Sequence, residues 1–296
     1  MTSHLIVRGK KIHVEIFGQN HLPAVLFLHG GPGESCYEFV YYQARRLSKE
    51  LKVIAIDQRG VLRSERIGDD ESFGMMDIIE DCEDIRLQLG IKEWAIIGHS
   101  FGGYLALVYT KYYPQSVSKV VFENPTFDFE WTARNLLKCA GKLFLSKGDK
   151  KHFHECEEYA NGFYRTEELF DHYLRLGEIL GDEKEKIYSP NQVATDDSVY
   201  TDEEWEAFSE RTDVHLRKLR EEGRMFESII PYLSELHVPS LLLVGEYDPV
   251  TCDKHINEYN QVKKGKIVEF KGCGHMLHSE EPDRYREVVT DFIKER

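Results

Sequence analysis

Apolar positions come in short bursts over the first 127 residues, and the period of the bursts changes along the chain. "SHLIV" and "KIHVEIF" stand on either side of "RGKK" and predict a hairpin. "AVLFLH" (24–29) and "KVIAID" (52–57) are unbroken apolar runs of strand length, as parallel strands buried on both faces require. Between them, "ESCYEFVYYQARRLSKE" has helical spacing. "MMDIIEDCEDIRLQLG" sets Met76, Ile79, Cys82, Ile85 and Leu89 on one side of a helix that Gly90 can end. "EWAIIG" and "VSKVVFEN" repeat the buried-strand pattern around a helix opening at Ser100. This β-α-β rhythm predicts a mostly parallel sheet with helices on both faces.

The rhythm stops near Asp128. Long helical, acidic text follows, from "EWTARNLLKCAGKLFLSKG" to "DEEWEAFSERTDVHLRKLREEGRMFESIIPYL". At Val238 the strand pattern returns in "PSLLLVGEYD" and "GKIVEF", and "PDRYREVVTDFIKER" closes the chain as a helix. The expected organisation is an α/β core from residues 1–127 and 237–296, interrupted by a helical cap at 128–236.

Charge sharpens that division. The net charge is −14, and residues 128–236 carry −10 of it, with −2 on each flanking part. A chain this acidic lacks the basic face that nucleic acid requires. The chain has 41% apolar residues but no run approaching the roughly 20 that a membrane span needs. The N-terminal text lacks a signal-peptide layout, so a cytoplasmic protein is expected. Six scattered cysteines without a C-x-x-C pair read as reduced thiols.

The candidate chemistry lies where strands should end. Gly98-His99-Ser100-Phe101-Gly102 fits G-x-S-x-G, in which a serine sits on a strained strand-to-helix turn. A serine hydroxyl needs a base, and the base needs an orienting group. Asp248 falls just past a strand in "LLLVGEYDPV", and His275 lies in the Gly-rich "KGCGHMLHSEEP". His278 is a rival base and Glu246 a rival acid, each less well placed. Oxyanion donors are expected from the Phe101 N–H and from Gly31, within His29-Gly30-Gly31-Pro32-Gly33. His152, His154 and Cys156 alternate within helical text and point apart, so no metal is expected.

"HGGPG", "DQRG" (57–60), "GHSFGG", "GEYDPV" and "GCGHMLHSEEP" together resemble the α/β-hydrolase superfamily, and more narrowly its proline iminopeptidase group. The resemblance implies an α/β-hydrolase fold with an inserted cap, and Ser100, Asp248 and His275 as catalytic triad. It implies no cofactor, and small peptides, esters or amides as substrates. That group more often shows GGSWG where this chain has GHSFG, and Leu62 replaces the second glycine of DQRG-x-G-x-S. The group holds a substrate's amine with cap glutamates, and the candidates here are Glu178, Glu203, Glu204 and Glu206, with Trp205 beside them. A carboxylesterase, a lactone or carbon–carbon bond hydrolase, and a non-catalytic small-molecule receptor are alternatives on the same fold. Epoxide hydrolases and dehalogenases of this fold use an aspartate nucleophile, so Ser100 argues against both.

Overall fold

Successive residues of the short apolar runs go to opposite faces of one sheet, and both faces are covered. The computed structural model describes residues 2–191, 193–196 and 198–295. Among these, the strands are β1 (Thr2–Val7), β2 (Lys10–Phe17), β3 (Ala24–Leu28), β4 (Lys52–Ile56), β5 (Trp94–His99), β6 (Val117–Glu123), β7 (Ser240–Gly245) and β8 (Gly265–Phe270). They form one sheet in the order β1–β2–β4–β3–β5–β6–β7–β8. The β1–β2 and β2–β4 pairings are antiparallel and the others parallel. The hairpin turns at Arg8-Gly9, both at positive φ, as a two-residue turn between twisted strands demands.

Leu26, Leu28, Ile54 and Ile96 pack on one face with helices α1 (Met75–Gln88) and α2 (Phe101–Tyr112). Val25, Phe27, Val53, Ala55 and Ile97 pack on the other, against Phe39, Leu47 and the closing helix residues Tyr285, Val289 and Phe292. This two-sided burial is why the strand text is apolar throughout. On α1 the buried stripe is Met75, Ile78, Ile79, Cys82 and Ile85; Ile79, Cys82 and Ile85 lie on the expected face, and Met76 and Leu89 at its edge are partly buried against the same core.

The inserted segment divides by packing. Helices α3 (Phe129–Ser146), α4 (Lys150–Asn161) and α5 (Thr166–Leu180) share their own core of Leu136, Leu137, Phe144, Cys156, Leu169 and Leu176. The end of α6 (Asp202–Glu222) and the stretch after it behave differently. Leu219, Met225, Ile229, Leu233 and Leu236 join the core beneath the sheet, together with Phe129. The acidic text of this stretch hides a sparse apolar stripe, and both ends of the 128–236 segment pack with the sheet core.

His152 donates its backbone N–H to the helix-capping Asp149, whose carboxylate also meets the imidazole, while Cys156 is buried in the core shared by α3, α4 and α5. Among the described residues no three His, Cys, Asp or Glu side chains converge as metal ligands, and no helix is long and apolar enough to cross a membrane.

Candidate active site

Ser100 sits between β5 and α2 at φ 54°, ψ −120°, a region that costs a non-glycine residue on the order of 1–2 kcal/mol. The glycines around it make the turn possible. A Cβ on Gly102 would lie 2.0 Å from the Leu28 carbonyl oxygen, and one on Gly98 would lie 2.3 Å from the Gly102 oxygen. The Ser100 N–H donates to the Glu123 carbonyl at 2.9 Å, which pins the turn to β6. The Phe101 N–H is the first of α2, where the backbone dipoles favour negative charge. Gly31, at φ 102°, lines the same cavity as Ser100.

Asp248 and His275 follow β7 and β8, at the carboxyl ends of the sheet where such sites form. Asp248 Oδ1 lies 2.6 Å from His275 Nδ1, with both side chains almost wholly buried. Its carboxylate also accepts the N–H groups of Val250 (3.2 Å) and Thr251 (2.7 Å). A carboxylate only accepts, so Nδ1 carries the proton and Nε2 is left as the base. His275 and Ser100 line one cavity of about 870 Å³. Glu246 is turned away, accepting the Gly272 N–H at 2.8 Å. His278 is also engaged elsewhere, with Nδ1 2.8 Å from Glu123 Oε1.

Asn124, which the sequence reading missed, holds the site together. At φ 42° and fully buried, it donates through Nδ2 to the carbonyls of Gly274 (3.0 Å) and His275 (2.8 Å). Its Oδ1 accepts the Gly245 N–H at 2.9 Å. One amide therefore ties the ends of β6 and β7 to the histidine loop. The inserted segment adds a tether, since the His275 N–H donates to the Tyr188 carbonyl at 2.7 Å.

Beneath the serine runs a line of acids and imidazoles, buried except at Glu34. Burial opposes charge on His99, but Glu34, whose Oε2 is 3.7 Å from Nδ1, and Glu123 outweigh it and push its pKa up to about 9. Desolvation likewise works against the Glu34 carboxylate, and His99, then His275 and His29, bring it down to about 2. Glu34 keeps 46% of its side-chain surface accessible because it faces a cavity, while the protein around it still desolvates it. Glu123 has no exposure, and despite that burial His278 and His99 lower its pKa to about 2.

The four glutamates expected to hold a substrate's amine lie away from the site. Glu178, Glu203, Glu204 and Glu206 are exposed, and none lines the cavity that holds Ser100 and His275. They sit on outward helix faces, and Glu204 is used to cap α6 with Thr201. Trp205 lines a second, adjoining cavity of about 400 Å³. Among the described residues, the carboxylates that face the Ser100 cavity are Glu34, Glu38 and Glu185.

A sequence profile described as alpha/beta hydrolase fold matches residues 23–282. The chain belongs to the α/β-hydrolase fold family. It is 28% identical over 293 residues to a proline iminopeptidase of Heyndrickxia coagulans, spanning 97% of this chain and 96% of that protein. It is 32% identical over 311 residues to epoxide hydrolase 4 of Mus musculus, spanning 99% and 80% respectively. Its fold matches the crystal structure of a proline iminopeptidase-related protein from Thermus thermophilus with a TM-score of 0.73, at 21% identity, over 99% of this chain and 96% of that one.

In this α/β-hydrolase the DQRG segment is scaffolding. The Gln58 N–H donates to His29 Nε2 at 3.0 Å, while Asp57 accepts the Cys36 N–H and the Arg63 guanidinium. Arg59 pairs with Asp81 at 2.6 Å. Together these bonds fix both ends of the loop that carries Gly31. Leu62, where the resembling group has glycine, adopts φ 40° and is buried against the smaller cavity.

Proposed function

We propose that the protein is a serine hydrolase working through an acyl-enzyme, and that it is an aminopeptidase of proline iminopeptidase type acting on small peptides. The observation that carries this reading is the shared cavity of Ser100 and His275, with His275 held by Asp248 at 2.6 Å. Nucleophile, base and orienting acid then stand in the roles that acyl transfer needs.

In this mechanism His275 Nε2 takes the Ser100 proton as the hydroxyl attacks the carbonyl. The oxyanion rests on the N–H groups of Gly31 and Phe101, each worth roughly 3–4 kcal/mol to the barrier. The protonated imidazole, steadied by Asp248, passes its proton to the leaving amine, and water then hydrolyses the acyl-enzyme. Similarity to proline iminopeptidases over nearly the whole chain, and the Glu34 and Glu38 carboxylates facing the cavity, favour a free-amine substrate.

A second reading, a carboxylesterase on the same residues, is favoured by apolar cavity walls that include Phe129, Leu136, Phe170, Leu174 and Leu216. The test compares Pro-, Ala- and Leu-aminocoumarins with their N-blocked forms and with p-nitrophenyl butyrate, in wild type and Ser100→Ala. Amide cleavage that is lost on blocking and on Ser100→Ala supports the aminopeptidase. Ester turnover alone supports the esterase, and no turnover of any substrate by folded protein overturns both.

A further inference from the structure

Two cavities meet beside the carboxyl ends of β3 and β5. The larger holds Ser100 and His275, and the smaller is walled by Tyr37, Phe39, Trp205 and Phe208. Glu34 and Glu38 line both, so two carboxylates stand at the junction. The junction is close to the nucleophile, because a methyl on Gly30 would lie 2.7 Å from Glu34 Oε2 and 2.8 Å from Ser100 Cβ.

A buried nitrogen without a hydrogen-bond partner lies beside the same junction. His278 is 1% exposed and lines the smaller cavity. Its Nδ1 is committed to Glu123, and its Nε2 has no hydrogen-bond partner and stands 3.8 Å from Glu38 Oε1. Buried polar atoms are rarely left unpaired, so this one marks a place where a ligand's hydrogen fits. With the proton on Nδ1, Nε2 accepts. Two carboxylates and an accepting imidazole beside aromatic faces match a cation that carries N–H hydrogens and an apolar substituent. His99 stands behind Glu34 and shares its charge, which leaves Glu38 as the stronger attraction.

We propose that this junction seats a protonated primary or secondary amine of the substrate between Glu34 and Glu38, with the substituent on the amine-bearing carbon against the aromatic wall of the smaller cavity. The assignment rests on the aminopeptidase reading for the position of the scissile carbonyl at Ser100. An amine one carbon from that carbonyl reaches Glu34, and the rest of the peptide extends into the larger cavity. Recognition then comes from the loop after β3, with no role for Glu178, Glu203, Glu204 or Glu206.

The test measures binding without turnover. The full chain carrying Ser100→Ala is titrated calorimetrically with L-phenylalaninamide and with its des-amino analogue 3-phenylpropanamide. The amine-bearing probe is expected to bind at least tenfold tighter. Adding Glu38→Gln should shrink that preference to threefold or less, whereas adding Glu185→Gln should retain it. Equal binding of the two probes, or a preference lost in Glu185→Gln but kept in Glu38→Gln, overturns the proposal. Thermal melts establish that each variant is folded, and Glu34→Gln serves as a second reading of the same seat if Glu38→Gln is not. Amine preference in this chain alongside a wild type that turns over nothing would sink the hydrolase reading alone. Turnover by wild type without amine preference would sink the seat alone.

Discussion

Glu34 and Ser100 both crowd the bare Cα of Gly30, where a methyl group would meet the carboxylate at 2.7 Å and the serine Cβ at 2.8 Å. A negative charge so near the nucleophile opposes an oxyanion unless something neutralises it. His99 does so from beneath, with Nδ1 3.7 Å from Glu34 Oε2. The residue between the first glycine and the serine of the elbow therefore tunes the field at the site.

That pairing makes stability depend on pH. The His99 pKa is raised from 6.5 to about 9, so its contribution is full below pH 6.5 and is lost as pH rises through 9. Glu34 and Glu123, lowered from 4.5 to about 2, act at the other end: their contribution is full above pH 4.5 and is lost as pH falls through 2. The melting temperature of wild type should fall between pH 6.5 and 9, and that of His99→Gln should fall less. Parallel circular-dichroism melts would show this, and identical slopes would remove His99 from the account.

Asp248→Asn should leave the fold intact, because the amide oxygen can keep the shorter bond from the Thr251 N–H, which turns the NH2 toward Val250 and His275. The imidazole loses its partner for the Nδ1 proton, and kcat should drop by about 10⁴-fold. Single-turnover kinetics on whichever ester or amide proves active would measure it, and a loss under tenfold would argue that Asp248 does not orient the base.

Asn124→Ala removes three hydrogen bonds at once and strands the buried Gly245 N–H and the Gly274 carbonyl. Each stranded group costs about 1–3 kcal/mol, and the histidine loop loses its tie to β6. We expect a stability loss of about 2–5 kcal/mol in urea titration. The fraction that stays folded should also show a lower kcat with little change in KM, because His275 is displaced while the cavity walls are not. An unchanged kcat would make Asn124 a stability residue only.

Leu62→Gly sets two effects against each other. Relief of the positive-φ strain is worth about 1–2 kcal/mol. Loss of a buried leucine costs about 2–5 kcal/mol, and glycine adds freedom to the unfolded chain. Packing should win, with net destabilisation of about 1–3 kcal/mol by chemical denaturation. A stabilised variant would show that strain dominates at this turn.

The strands, their parallel pairing and the positions of Ser100, Asp248 and His275 were legible in the sequence because each depends on short-range signals. An unbroken apolar run needs cover on both faces, and glycines flank the serine where no Cβ fits. The packing at the two ends of residues 128–236 and the charged groups around the site were not legible in this way. Leu219 and Met225 look like isolated apolar residues in acidic text, and only packing assigns them to the sheet core. Asn124 reads as an ordinary turn residue until the ends of β7 and the histidine loop converge on its amide. Glu178, Glu203, Glu204, Glu206 and Glu34 are the same residue type, and sequence position says nothing of which faces a cavity. A side chain's field and hydrogen-bond partners come from residues distant in the chain, so only the tertiary structure decides them.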